Sequence, residues 1–163
     1  KGATMRTMYL ALRALFLAAC FVVLWAWIAL SLRALDSRFG IFLPSWMHAL
    51  GIPLMLLGGA LALWCIVAFI VNGHGTPAPF DPPKEFVAAG PYSHVRNPMY
   101  LGGWLLLLGL SFYERSPSIL LLSIVWMAAA HLLLVKFEEP GLHKRFGESF
   151  DNYCHSVHRW LPH

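Results

Sequence analysis

The stretch "PMYLGGWLLLLGLSFYERSPSILLLSIVWMAAAHLLLVKF", residues 98–137, decides the fold. It holds two apolar runs, 98–113 and 117–137, parted only by Glu114, Arg115 and Ser116. The second run is long enough to cross a bilayer, which takes about 20 apolar residues. The first is roughly 24 Å of helix at ~1.5 Å per residue, against a hydrocarbon core of about 30 Å. A tight helical hairpin is therefore expected, with a first limb that need not cross fully.

Working outward, two more apolar segments precede the hairpin, at about 9–32 and 46–71. The chain of 163 residues is 58% hydrophobic and 12% charged, where a soluble domain carries about 25% charged residues. These features predict an all-α, polytopic helical membrane protein with about four spanning helices, the last two forming the hairpin. The whole chain, 1–163, reads as one membrane-embedded domain. The first apolar run is too long for a signal-peptide core and lacks a small-residue cleavage site, so no cleavable leader is expected. Cys20, Cys65 and Cys154 follow no metal-ligand spacing and are read as structural.

Basic residues set the expected orientation. Lys1, Arg6, Arg13, Lys84, Arg96, Lys136, Lys144, Arg145 and Arg159 fall on one side of the four segments. Only Arg33, Arg38 and Arg115 fall on the other. Both termini and the central loop, 72–97, are expected in the cytoplasm. The excess of positive charge then reflects membrane topology, and no nucleic-acid partner is implied.

The central loop carries Pro77, Pro79, Pro82, Pro83 and Pro91 together with Gly73, Gly75 and Gly90. A loop of this length is usually functional or disordered, and Phe80, Phe86, Val87 and Tyr92 give it something to pack with. An ordered lid is expected. Its "HGTPAPFDPP" portion, 74–83, lacks the lysine and following helix of a phosphate loop. The loop ends in "GPYSHVRNPMYLGG", 90–103, where Asn97 suits a helix N-cap and Pro98 the first helical position. Helix-start chemistry does not explain His94 and Arg96 so close to a helix face bearing Tyr100 and Gly103.

Beyond the hairpin, Leu142, Phe146, Phe150, Tyr153 and Val157 recur every three or four residues. They predict an amphipathic interfacial helix over 140–158, with Lys144, Arg145, Glu148 and Asp151 on its polar face and Trp160 as an anchor. Adjacent acids at a helix C-terminus oppose the dipole, so Glu138 and Glu139 ask for a cation or ligand. His131 lies seven residues before Glu138, on the same face of a regular helix. An ionisable residue at membrane depth is a functional candidate. In the second segment, Gly58 and Gly59 allow a close approach by a helix or a ligand.

The blocks "GPYSHVRNPMYLGG" and "EEPGLHKRFGESFDNYCHSVHRWLP", in this order around an apolar hairpin, resemble the isoprenylcysteine carboxyl methyltransferase and phospholipid methyltransferase superfamily. The resemblance spans roughly 58–162 and implies an integral-membrane enzyme that uses S-adenosylmethionine, with S-adenosylhomocysteine as product. It implies a cofactor pocket lined by Tyr92, His94, Arg96, Asn97, Tyr100 and Gly103. Glu138 and Glu139 would hold the cofactor, with Gly58 and Gly59 approaching it and Tyr153 and Arg159 closing the site from the tail. Where many eukaryotic relatives have Arg-His-Pro this chain has Arg96-Asn97-Pro98, and Asn97 cannot ionise. Methyl transfer from an activated sulfonium asks chiefly for alignment and exclusion of water, so neither a metal nor a nucleophilic triad is required. Arg96, Glu139 and His131 are the candidate catalytic residues: Arg96 to position an anionic group, and His131, His94 or a glutamate to serve any acceptor that needs a base. The expected acceptor is membrane-borne or lipophilic, with a prenylcysteine carboxylate among the possibilities. Two other readings stand beside this one. The tail "DNYCHSVHRWLPH" is also similar to that of membrane sterol reductases, which would need NADPH, and a non-enzymatic membrane scaffold would use the polar block only for capping and anchoring.

Overall fold

The structure, a computed structural model, describes residues 2–72 and 87–162. Among these all the regular structure is helical: α1 (Gly2–Phe39), α2 (His48–Asn72), α3 (Pro98–Tyr113), α4 (Pro117–Leu133), a π turn (Leu134–Glu138), α5 (Glu139–Phe146) and α6 (Glu148–Ser156). Short 3-10 turns at Ser45–Met47 and Gly90–Ser93 precede α2 and α3. Most of the proline-rich lid, 73–86, including "HGTPAPFDPP", lies outside the described residues.

Among the described residues, three helical stretches are long and apolar enough to cross a membrane: Met8–Asp36, Ser45–Asn72 and Pro117–Phe146. The fourth expected span, α3, falls short with 16 residues. It is the first limb of the hairpin, which turns through Arg115 at φ 54°. The tail also differs from the single helix expected over 140–158. It is divided at Gly147, which adopts φ 53° and separates α5 from α6.

The seam between α2 and α3 is built from glycines on both sides. A Cβ on Gly58 would lie 2.6 Å from the Gly102 carbonyl oxygen, and one on Gly109 would lie 2.8 Å from that of Gly51. The two pairs share one spacing, since Gly51 and Gly58 are seven residues apart and so are Gly102 and Gly109. Two antiparallel helices therefore meet backbone to backbone at two points, two turns apart. Small residues let van der Waals packing drive such association where lipid removes the hydrophobic incentive. Gly59, the neighbour of Gly58, faces open space.

The hairpin is pinned to α1 at the end far from the Gly90–Ser93 turn. Asp36, buried at 4% exposure, accepts hydrogen bonds from the hydroxyls of Ser116 and Ser118 and from the Ser118 backbone N–H. Ser116 caps α4 by accepting from the Ile119 N–H. Arg33 pairs with Glu114 at 2.9 Å, and Arg115 donates to the Leu43 carbonyl. Between the two ends, Ala29, Leu107 and Ile119 form a buried cluster against Trp25 and Trp126.

This packing makes a differential prediction. Gly58→Ala and Gly102→Ala should each destabilise by about 1–3 kcal/mol, the usual range for an overpacked contact. Gly59→Ala should be neutral or slightly stabilising. Thermal unfolding in detergent checks this, and equal effects at Gly58 and Gly59 would contradict the seam.

Candidate active site

Because α3 is short, it begins well below the end of α2. Gly102 lies against Ala62 and four residues of α3 precede it, so about six residues of α2, roughly 9 Å of helix, extend beyond the start of α3. The chain before α3 fills part of this step. Gly90 takes φ +62°, and a Cβ there would press on the Trp64 indole nitrogen at 3.3 Å. The turn can therefore lie flat on α2. Tyr92 stacks edge-on against Phe69 with ring centroids 5.3 Å apart, and its hydroxyl shares a hydrogen bond with the Cys65 thiol. Burial pushes the Tyr92 phenol well above its ordinary pKa, so it stays protonated at neutral pH.

The acids arrive from the opposite side, at the end of α4. On a regular helix, seven residues turn through about 700°, which would put Glu138 on the face of His131. The chain instead passes through the π turn at Leu134–Glu138. A π turn takes up an extra residue, so the residues after it slip back by about one position. Glu139 then takes the place expected of Glu138: the tail reaches Glu139 through Arg159 and His131 through the next residue, Trp160.

The two carboxylates consequently have different neighbours. Glu138 is exposed and accepts one hydrogen bond, from the Tyr100 hydroxyl at 2.9 Å. Glu139 is only 18% exposed and is gripped by two guanidinium groups. Arg159 forms a two-pronged pair with it, Nε to Oε1 at 2.9 Å and an Nη to Oε2 at 2.8 Å. Arg96 approaches Oε1 at 3.3 Å. The bond to Glu139 raises the Arg159 pKa further above its ordinary value, so its charge is permanent.

The tail folds on itself, with Phe150, Tyr153 and Val157 buried together with Leu142 and Phe146 of α5. The Tyr153 hydroxyl donates to the Tyr92 carbonyl at 2.6 Å, and burial raises its pKa as well. Beyond α6, the Arg96 N–H donates to the His158 carbonyl at 2.9 Å. Trp160 donates its indole N–H to Nδ1 of His131 at 3.2 Å. An indole can only donate, so Nδ1 supplies the lone pair and the neutral His131 ring carries its proton on Nε2.

Of the residues singled out in the sequence, Arg96, Glu139 and Arg159 form one connected polar cluster, and Tyr100 and Glu138 form a hydrogen-bonded pair beside it. His131 adjoins it through Trp160 and Glu139, and Tyr153 through Tyr92. Asn97 sits at the cap position of α3, but its side chain makes no capping bond. Its Nδ2 donates instead to the Arg159 carbonyl at 3.4 Å. His94 turns back on its own turn, with Nδ1 at 3.2 Å from the Gly90 carbonyl. Gly103 makes room for Trp126, whose ring would lie 3.1 Å from a Cβ there. Gly58 is taken up by the helix seam.

Three contributors lie outside the set that the sequence singles out for the site. Cys154 accepts a hydrogen bond from Arg96 at 2.9 Å. Trp160, expected only as an anchor, engages His131. Trp126 lies 6.1 Å from Tyr100, ring to ring. Cys154 directly follows Tyr153, which is the signal that could have found it. Trp126 carries none, because an apolar run offers lipid-facing and site-facing tryptophans alike.

Away from this cluster, an apolar groove of about 340 Å³ runs between α1 and α2, with Leu106 of α3 at its floor. Ala18 and Ala19 of α1 line it together with Gly59, Ala62 and Ile66 of α2.

The fold and the cluster together define an integral-membrane helical protein with a polar centre at one end of its bundle. The family model of phospholipid methyltransferases matches residues 46–149, and the chain belongs to that family. The family is one of membrane methyltransferases, which generally use S-adenosylmethionine. The chain is also similar to the nickel-cobalt-cadmium resistance protein NccN of Alcaligenes xylosoxydans xylosoxydans, 25% identical over 122 residues. That match covers 72% of this chain and 53% of the relative, so the chain spans about half the length of the curated relative.

The docking of the tail is open to test. Tyr153→Phe removes the hydrogen bond to the Tyr92 carbonyl and should cost about 1–3 kcal/mol of local stability. Hydrogen exchange of the 148–158 amides should speed up by about tenfold or more, and unchanged protection would contradict the dock.

Proposed function

We propose that residues 1–163 act as one membrane-embedded domain that transfers a methyl group from S-adenosylmethionine to a membrane-borne or lipophilic acceptor. The observation that carries this reading is the convergence of Arg96, Tyr100, Glu138, Glu139 and Arg159, drawn from three distant parts of the chain, at one end of the bundle. S-adenosylmethionine brings a carboxylate and cationic groups, which suits a cluster holding both guanidinium groups and carboxylates. The Arg96 Nε is buried without a hydrogen-bond partner among the described residues. A buried N–H of this kind calls for an acceptor, and a ligand carboxylate supplies one.

When bound, S-adenosylmethionine supplies a methyl group already activated by its sulfonium. The chain's own residues bind, orient and exclude water. Arg96 holds an anionic group, from the donor or the acceptor. Tyr92 and Tyr153 join the turn to the tail and close the site off from water. His131, with Nδ1 engaged by Trp160, offers an N–H and no free lone pair. That arrangement favours an acceptor that needs no deprotonation, and a prenylcysteine carboxylate is of this kind, being already anionic at neutral pH. A chain-like acceptor finds an apolar path in the groove beside Ile66. The distribution of basic residues supports a site on the cytoplasmic side, with both termini there.

Calorimetric titration with S-adenosylhomocysteine tests the donor assignment. The chain should bind it, and Glu138→Gln combined with Glu139→Gln should abolish binding. Undiminished affinity in the double variant, or preferential binding of NADPH in a parallel titration, would overturn the assignment. Radiolabelled methyl transfer should reach prenylcysteine analogues in preference to phospholipid amines. The reverse preference would move the acceptor class.

A further inference from the structure

The two adjacent glutamates share a charge and a place in the sequence but not an environment. The π turn sends Glu139 inward, where both of its oxygens are occupied by Arg159 and Arg96. Glu138 is turned outward, and among the described residues only the Tyr100 hydroxyl engages it, through Oε2. Its Oε1 is open. Beside it, the Tyr100 and Trp126 rings are tilted at 46° with centroids 6.1 Å apart.

We infer that Glu138 is the residue that distinguishes the charged donor from its uncharged product, while Glu139 is a positioning residue that holds Arg96 and Arg159. The inference rests on the donor reading above. An ammonium group wants several acceptors at once. A sulfonium has no N–H to satisfy, and an open carboxylate oxygen beside aromatic faces suits it, since ring faces attract cations. Once the methyl group has passed to the acceptor, the donor's sulfur is an uncharged thioether and that attraction is gone. Glu138 therefore favours binding of donor over product and assists product release. Glu139 is spent on its two arginines. Its loss loosens the tail and the Arg96 side chain and weakens whatever occupies the site, whether or not the sulfur is charged.

The test is a set of calorimetric titrations of detergent-solubilised protein with S-adenosylmethionine and S-adenosylhomocysteine. Glu138→Gln should weaken S-adenosylmethionine by about tenfold while changing S-adenosylhomocysteine by less than about threefold, so that the preference between them collapses. Glu139→Gln should weaken both in parallel and leave their ratio as in the wild type. Arg159→Lys, which keeps the charge but loses the two-pronged geometry, should mimic Glu139→Gln and add little on top of it, as expected for residues acting through one contact. If Glu139→Gln disrupts folding, Arg159→Lys carries the same comparison. Parallel losses in Glu138→Gln, or a changed ratio in Glu139→Gln, would overturn the division of roles. Wild-type protein that binds neither compound would instead overturn the donor reading itself.

Discussion

The backbone contact between α2 and α3 is the constraint on which the rest depends. Gly58 on Gly102 and Gly51 on Gly109 fix both the register and the closeness of these helices. With that register set, a 16-residue α3 must start part-way along α2, and the bundle has a step at one end. The Gly90–Ser93 turn, the end of α4 and the tail converge on that step. A longer α3 would have filled it. The shortness that makes α3 a poor membrane span is what makes room for a site.

Electrostatics then decides how the step is furnished. Two adjacent carboxylates repel each other. The chain relieves this by placing Glu139 in the first turn of α5, where the helix dipole favours an acid, and by meeting it with two arginines. The Arg159–Glu139 pair has the forked geometry that makes such contacts stronger and more directional than an ordinary surface ion pair. It lies partly out of water, at 29% and 18% side-chain exposure. Removing one partner there leaves a poorly solvated charge, which costs more than the pair itself contributes. The clamp thus ties the C-terminal tail to the end of α4.

Much of this was legible in the sequence. Segment lengths and apolarity gave the helical membrane architecture, and "GPYSHVRNPMYLGG" and "EEPGLHKRF" marked the two walls of the site. Arg96, Tyr100, Glu138, Glu139 and Arg159 meet because both blocks lie at the ends of helices that pack antiparallel. What could not be read were features set by register in three dimensions. Periodicity assumes 3.6 residues per turn, so it placed His131 with Glu138, and the π turn moved Glu139 into that position. Asn97 has the composition of a cap, yet the tail offers its side chain a carbonyl. Gly102 and Gly109 sit in an apolar run where only the matching spacing of Gly51 and Gly58 reveals their purpose. The division of the tail at Gly147 depends on a positive φ that a heptad-like pattern does not register.

The central claim is that the donor is held at the end of the bundle where α3 falls short, between the Gly90–Ser93 turn, the acids that follow α4 and the tail. Photocrosslinking with an azido-adenosyl donor analogue, followed by mapping of the labelled peptides, tests this most directly. The account predicts label within 87–103 and 138–160, displaced by excess S-adenosylhomocysteine. Label at the opposite end, around Asp36 and Ser116–Ser118, or label that S-adenosylhomocysteine does not displace, would contradict it.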